Sequence, residues 1–123
     1  MVNAYILADA GYDVWISNMR GNVYSTAHET LNPYRDGKYW DFSLHEVAYY
    51  DFPVIWDYVL NLTKQENLYF IGHSIGSTVG MIFCSLRPEY NSKIKLHLAL
   101  APLVTHTITL THKLIMSPMM AMV

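Results

Sequence analysis

The stretch that most constrains this chain is residues 72–76, which read Gly-His-Ser-Ile-Gly. A short apolar run, residues 68–71, comes directly before it, and a helical pattern over residues 77–86 follows. In a hydrolase nucleophile elbow the serine lies on a strained turn between strand and helix, and the glycines let the backbone pass without side-chain clashes. The five-residue pattern is common by itself, but here it has the strand and the helix that the mechanism requires. We therefore predict that Ser74 is a nucleophile.

The order of the predicted elements indicates the fold class. Residues 12–16, 68–71 and 94–100 have the apolar, β-branched and aromatic content of buried strands, and helical patterns lie between them. The connections are long enough for crossovers, which favours a parallel sheet with right-handed βαβ units. We predict an α/β fold with about three parallel strands and crossover helices around the elbow.

The helical stretch before the elbow carries clear start signals. Ser43 and Glu46 form a capping-box pattern. Pro53 cannot lie deep inside a continuous helix without losing a hydrogen bond and clashing with the preceding turn. We therefore expect a kink there, with Asp51 capping a second helical segment that begins near the proline.

Each of the two helical stretches carries one apolar stripe, which we expect to face the sheet. The stripes are Ala48, Phe52, Ile55, Val59 and Leu62 before the elbow, and Ile75, Val79, Ile82, Phe83 and Leu86 after it. Gly76 and Gly80 are expected to let the second helix approach the sheet closely.

Composition excludes several classes of partner. Of the 123 residues 52% are hydrophobic and only 15% are charged, and the net charge is −2. This balance gives no electrostatic case for nucleic acid or for an anionic membrane surface. Cys84 is the only cysteine, so no disulfide can form within these residues. We expect no cofactor and no transmembrane segment, and the first nine residues make a poor signal peptide.

Several runs together resemble the acid lipase family of the α/β-hydrolase fold, which includes gastric and lysosomal acid lipases. The matching runs are residues 7–15, 18–25, 40–43 with Glu46, 50–53, 72–77 and 98–102, in the order and spacing of that family. The resemblance implies hydrolysis of carboxylic esters in neutral lipids, triacylglycerol or cholesteryl ester, at a lipid–water interface. It also implies a serine nucleophile at Ser74 and a secreted or lysosomal location. Ile75 would give its backbone N–H to the oxyanion hole, although relatives usually carry glutamine at this position.

The rest of a catalytic triad is hard to find. In this fold the chain order is serine, acid, histidine, yet no aspartate follows Ser74 and Glu89 is the only later carboxylate. His97, His106 and His112 follow too soon after the elbow, because acid and base belong to loops after later strands. We expect residues 1–104 to be a partial hydrolase core and residues 105–123 to begin a cap. The chain would then be a central fragment, inactive alone, that lacks acid, base and the second oxyanion donor.

Other functions remain open. The chain is also compatible with a truncated, inactive relative that binds lipid or protein, and unpaired sheet edges would then favour self-association. A peptidase or thioesterase of the same fold is disfavoured by the matches at residues 18–25 and 40–43. Asn61-Leu62-Thr63 is a possible N-glycosylation acceptor. We interpret His73 as a packed residue of the elbow, and Asp13, Arg20 and Asn22 as residues that order the turn after the first strand.

Overall fold

The computed structural model of the protein describes residues 2–103; the expected cap and its boundary at residue 104 lie outside the described residues. The regular elements, in chain order, are α1 (Val2–Asp9), α2 (Leu44–Glu46), α3 (Phe52–Thr63), β1 (Leu68–His73), α4 (Ile75–Leu86) and β2 (Ile94–Leu100). Two 3₁₀ turns, Gly37–Trp40 and Pro88–Lys93, and one π-helical turn, Val47–Asp51, lie between them.

The sheet of the described residues has two parallel strands. β1 pairs with β2 from Leu68 opposite Ile94 to His73 opposite Leu100, and α4 forms the crossover between them. The α/β class and the parallel βαβ unit around the elbow are therefore confirmed. The predicted strand at residues 12–16 is wrong: within the described part of the chain it pairs with no other strand, and Ile16 is 63% exposed. β-branched and aromatic content marks a segment that can fit a sheet, but a strand also needs a neighbour to bond.

The start of the helical stretch follows the sequence pattern. The backbone N–H of Ser43 donates to a carboxylate oxygen of Glu46 at 2.7 Å, and the N–H of His45 donates to Ser43 Oγ at 3.2 Å. The Ser43 hydroxyl donates to the same carboxylate at 2.6 Å. This bond and the one from the Ser43 backbone N–H lower the pKa of Glu46 to about 2. The predicted capping box is confirmed.

The second helical segment, α3, begins at Phe52 with Pro53 in its first turn, as predicted, but the transition to it differs from the expectation. The chain passes from α2 to α3 through a π-helical turn, and Asp51 itself has helical backbone angles and caps nothing with its side chain. Its carboxylate instead receives three donors from Arg20: Nη2 at 2.6 Å, Nε at 2.8 Å and the backbone N–H at 3.1 Å. Asp51 as a helix cap is therefore wrong, because a guanidinium from the preceding loop takes its oxygens.

The core lies between α3, α4 and one face of the sheet. It is mostly aromatic, with Phe52 and Trp56 of α3 packed against Phe83 of α4 and Phe70 of β1. The predicted stripe before the elbow holds for Ala48 in the π-helical turn and for Phe52 and Val59 in α3. Leu62 is 58% exposed, and Trp56, which the prediction omitted, is buried. The buried stripe of α3 thus includes Trp56 between Phe52 and Val59, and it does not extend to Leu62.

The opposite face of the sheet is uncovered within residues 2–103. Side chains of both strands that point away from α4 are 40–56% exposed; they are Tyr69, Ile71, Leu96, Leu98 and Leu100. One face of the α/β layer is thus packed and the other is apolar and open. Among the described helices none is long and apolar enough to cross a bilayer.

Candidate active site

Ser74 is the single residue between the end of β1 and the start of α4. Its backbone has φ 51° and ψ −118°, a conformation that costs a residue with a side chain about 1–3 kcal/mol. Three backbone hydrogen bonds hold it there. The Ser74 N–H donates to the Leu100 carbonyl at 2.9 Å, and the Ser74 carbonyl accepts from the N–H groups of Ser77 at 3.0 Å and Thr78 at 3.2 Å. The turn is a strained strand-to-helix elbow with the serine at its apex.

Glycine is required where α4 crosses the end of β1. A Cβ on Gly72 would lie 2.6 Å from the backbone nitrogen of Ser77, and one on Gly80 would lie 2.8 Å from Cε1 of His97. Gly76 has open space where a Cβ would project. The close approach of helix and sheet therefore depends on Gly72 and Gly80, and the expectation that Gly76 shares this role is wrong.

Ile75 is the first residue of α4. Its N–H belongs to the first turn, where no carbonyl of the same helix can accept it, and the helix end carries partial positive charge. Its side chain is 41% exposed, and Ser74 beside it is exposed as well. An anionic oxygen formed at an acyl group on Ser74 could therefore be met by an oriented backbone donor.

Glu89 and Asp57 are engaged in contacts away from Ser74. Glu89 forms an ion pair with Arg87 at 2.6 Å, and the hydrogen bond from that guanidinium lowers the pKa of Glu89. Asp57 accepts from the hydroxyl of Tyr90 at 2.7 Å. Throughout residues 2–103, no carboxylate or imidazole makes a hydrogen bond to the Ser74 hydroxyl, while His106 and His112 lie outside the described residues.

The two histidines nearest the elbow differ in environment. His73 is exposed, so its interpretation as a packed residue is wrong. His97, in β2, has its ring 4.7 Å from that of Phe70 and against Gly80 of α4. Its Nε2 is buried without a hydrogen-bond partner among the described residues, and burial lowers the pKa of this imidazole. His97 is thus a strand residue whose ring lies on the face of the sheet that α4 covers.

The turn that Asp13, Arg20 and Asn22 were expected to order, at residues 19–25, contains only part of the predicted bonding. Asn22 Oδ1 accepts from the N–H of Tyr24 at 3.0 Å, as expected for a residue that orders a turn. Asp13 instead accepts from the indole N–H of Trp15, and Arg20 reaches Asp51 in the helical segment.

The possible glycosylation site is accessible. Asn61 is exposed near the end of α3, and its Oδ1 accepts from Lys64 Nζ at 3.2 Å. The Thr63 hydroxyl donates to the Val59 carbonyl at 2.7 Å. Glycosylation at Asn61 stays a prediction.

Metal ligands are not grouped in the part of the chain that the structure describes. Within residues 2–103, no group of three His, Cys, Asp or Glu side chains is arranged to hold a metal ion.

One polar residue of the elbow, Ser77, was not predicted from the sequence as part of the site. Ser77 is fully buried, and its hydroxyl lies 2.6 Å from the Gly72 carbonyl oxygen and 2.9 Å from that of Leu100. The only sequence signal was a small polar side chain three residues after the nucleophile, on the same side of the first helical turn.

Comparison with known proteins identifies the class. The sequence model for the α/β-hydrolase fold matches residues 3–112. The chain therefore belongs to the α/β-hydrolase fold family, as the elbow and the parallel βαβ unit indicate.

Curated relatives narrow the comparison further. The chain is 50% identical to mouse Lipase member N over 101 residues, which is 82% of this chain and 25% of that protein. It is also 50% identical to Lipase 1 of Drosophila melanogaster, over 82% of this chain and 23% of that protein. Human lysosomal acid lipase/cholesteryl ester hydrolase is 46% identical, with 82% and 25% covered. The resemblance to the acid lipases is confirmed, and the chain spans about a quarter of the length of these relatives.

Proposed function

We propose that this chain carries the nucleophile elbow of a serine ester hydrolase that acts on neutral lipids, either triacylglycerol or cholesteryl ester. The observation that carries the proposal is the strained backbone of Ser74 at a strand-to-helix turn, in a chain that is 50% identical in sequence to proteins named as lipases. A neutral-lipid substrate would be met at a lipid–water interface, and the location would be secreted or lysosomal.

The proposed reaction begins with attack of Ser74 Oγ on the ester carbonyl carbon. A general base takes the hydroxyl proton as the new C–O bond forms, and the carbonyl oxygen becomes the oxyanion of a tetrahedral intermediate. The Ile75 N–H donates to this oxygen; loss of one such donor typically costs about 3–4 kcal/mol in the barrier. Collapse of the intermediate expels the alcohol, which receives the proton from the base. Water then hydrolyses the acyl-enzyme by the same route.

The 123 residues by themselves are proposed to be inactive. A serine hydroxyl is a weak nucleophile until a neighbouring base removes its proton. Glu89, the only carboxylate after Ser74 in the sequence, forms an ion pair with Arg87. The ring of His97 lies against Gly80, on the face of the sheet that α4 covers. Acid and base would be contributed from outside these residues.

The test uses the full-length protein encoded by the open reading frame that contains these residues. Hydrolysis of p-nitrophenyl butyrate and of emulsified triacylglycerol is measured for the wild type, for Ser74→Ala and for Ser85→Ala. Ser85 is the matched control because it is exposed at the far end of the same helix. We expect Ser74→Ala to lower kcat by 10³-fold or more and Ser85→Ala to leave it unchanged. Equal turnover by Ser74→Ala and wild type would refute the proposed nucleophile.

A second candidate is an inactive relative that binds lipid or protein through the open face of the sheet. The observation in its favour is the exposed apolar set on β1 and β2, which includes Tyr69, Ile71 and Leu96. This candidate predicts a folded protein that hydrolyses no ester and associates with itself. If the protein sediments as a compact monomer and its ester hydrolysis depends on Ser74, this second candidate is excluded.

A further inference from the structure

Ser77 occupies a position where a polar side chain is costly unless it is bonded. It is fully buried in the first turn of α4, and its hydroxyl lies between the carbonyl oxygens of Gly72 and Leu100, at 2.6 and 2.9 Å. Gly72 belongs to β1 and Leu100 ends β2. One hydroxyl therefore joins the elbow helix to the carboxyl ends of both strands.

The Leu100 carbonyl has a second donor, and that donor is the nucleophile's own amide. The Ser74 N–H bonds to this oxygen at 2.9 Å. A residue with positive φ keeps that conformation only where its surroundings over-determine it. The Ser77 hydroxyl contacts Gly72, two residues before Ser74, and it also contacts the Leu100 carbonyl that accepts from the Ser74 N–H. It therefore limits movement of the elbow on both sides.

The neighbouring residue extends the same link beyond β2. Thr78 Oγ1 accepts from the Leu103 N–H at 3.1 Å and lies within donating distance of the Leu103 carbonyl at 3.2 Å and the Ser74 carbonyl at 3.4 Å. The chain leaves β2 through Ala101, which has φ 48°. Two consecutive hydroxyls on α4 thus fasten residues 100–103 to the first turn that carries Ser74.

We propose that Ser77 is a positioning residue for the nucleophile, an inference that rests on the proposed function of Ser74. Its single hydroxyl proton is shared between the Gly72 and Leu100 carbonyls. This orients the Leu100 carbonyl, which accepts from the Ser74 amide, and so sets the direction of Ser74 Oγ. Because the side chain of Ser77 has no exposed surface, it cannot touch substrate. Its loss therefore acts on the rate of acylation and not on substrate binding, and a displacement of Ser74 of about 1 Å can cost on the order of 10²-fold.

The experiment separates positioning from folding by counting reactive sites. In the full-length protein, a fluorophosphonate probe titrates the activated serine in the wild type, Ser77→Ala, Ser77→Thr and the control Ser85→Ala. For each variant the labelling rate constant and kcat are expressed per titrated site. We expect Ser77→Ala to lose 10- to 100-fold in both per-site quantities with KM within about threefold of wild type. Ser77→Thr keeps the hydroxyl and is expected to restore most of the rate.

A purely structural role gives a different result. Fewer titratable sites in Ser77→Ala, each reacting at the wild-type rate, would overturn the proposal. If Ser77→Ala yields no folded protein, Ser77→Cys decides, since its thiol still fills the site, with a somewhat larger atom, but donates weakly. Its per-site rate must then fall below that of Ser77→Thr, and equal rates would overturn the proposal.

Failure of the proposed function looks different again. If Ser74→Ala hydrolyses esters as fast as the wild type, the nucleophile assignment fails, and the role of Ser77 fails with it. If Ser74→Ala is inactive while Ser77→Ala is unchanged per site, only the positioning role of Ser77 is refuted.

Discussion

The buried Nε2 atom of His97 makes a sharp prediction about stability. Its Nε2 has no hydrogen-bond partner among residues 2–103 and is packed beside Phe70 and Gly80. A buried polar atom without a partner costs about 1–3 kcal/mol, whereas an apolar side chain of similar volume removes that cost. We predict that His97→Leu raises the free energy of unfolding at pH 7.5 by about 1–2 kcal/mol, after allowance for imperfect repacking.

The same residue predicts a pH dependence with a definite sign. Burial lowers the pKa of His97 in the folded state, so the unfolded chain binds the proton first. Above pH 6.5, the ordinary value for histidine, both states are neutral at this residue and it adds no slope. Below pH 6.5 the wild type loses stability until the lowered folded pKa is reached, by at most about 1.4 kcal/mol per pH unit for one proton. The advantage of His97→Leu therefore grows as the pH falls.

Urea unfolding of the full-length protein at pH 7.5, 6.5 and 5.5 checks both parts. His97→Gln is the matched control, because it keeps a polar side chain but cannot titrate. We expect His97→Leu to raise the free energy of unfolding at all three pH values. We expect His97→Gln to remove the contribution of His97 to the pH dependence without raising the free energy of unfolding at pH 7.5. Loss of stability in His97→Leu at pH 7.5, or a gap to wild type that stays constant down to pH 5.5, would refute the reasoning.

Three further predictions concern the elbow, the Arg20 ion pair and the sequon. Gly72→Ala places a Cβ 2.6 Å from backbone of α4 and is expected to cost at least about 2–3 kcal/mol by urea unfolding; Gly76→Ala, with open space, costs under about 1 kcal/mol, and equal losses would contradict this. Asp51→Asn removes the charged partner of Arg20, whose side chain is 35% exposed, and should cost about 1–2 kcal/mol, an effect that an unchanged denaturation midpoint would exclude. In a secretory host, treatment with a glycosidase specific for N-linked glycans should shift the mobility of the wild type more than that of Asn61→Gln; identical shifts would rule out the site.

Local signals in the sequence predicted much of the elbow unit. The glycine–serine pattern fixed the boundary between β1 and α4, and Ser43 with Glu46 fixed the start of the helical stretch, because these features depend on residues within a few positions of one another. The parallel pairing of β1 and β2 followed from the length of the connection between them.

Features that depend on distant partners were not predictable in the same way. The role of Asp51 was missed because Arg20 lies 31 residues earlier in the sequence, and a carboxylate near a helix start is as suited to capping as to ion pairing. The segment at residues 12–16 has strand composition but no strand to pair with among the described residues. The buried position of Ser77 likewise depends on Leu100, which contacts it across the βαβ unit.

The geometry of the elbow separates the placement of the nucleophile from its activation. The groups that hold Ser74 at positive φ are the Leu100 carbonyl, the Ser77 hydroxyl and the close helix crossing at Gly72, and all of them belong to the β1–α4–β2 unit. None of these contacts needs a catalytic acid or base. The strained serine can therefore be formed by one compact supersecondary unit. Under the proposed function, the triad partners then have to supply only proton transfer and the orientation of the base, and their removal should leave the elbow folded and unreactive.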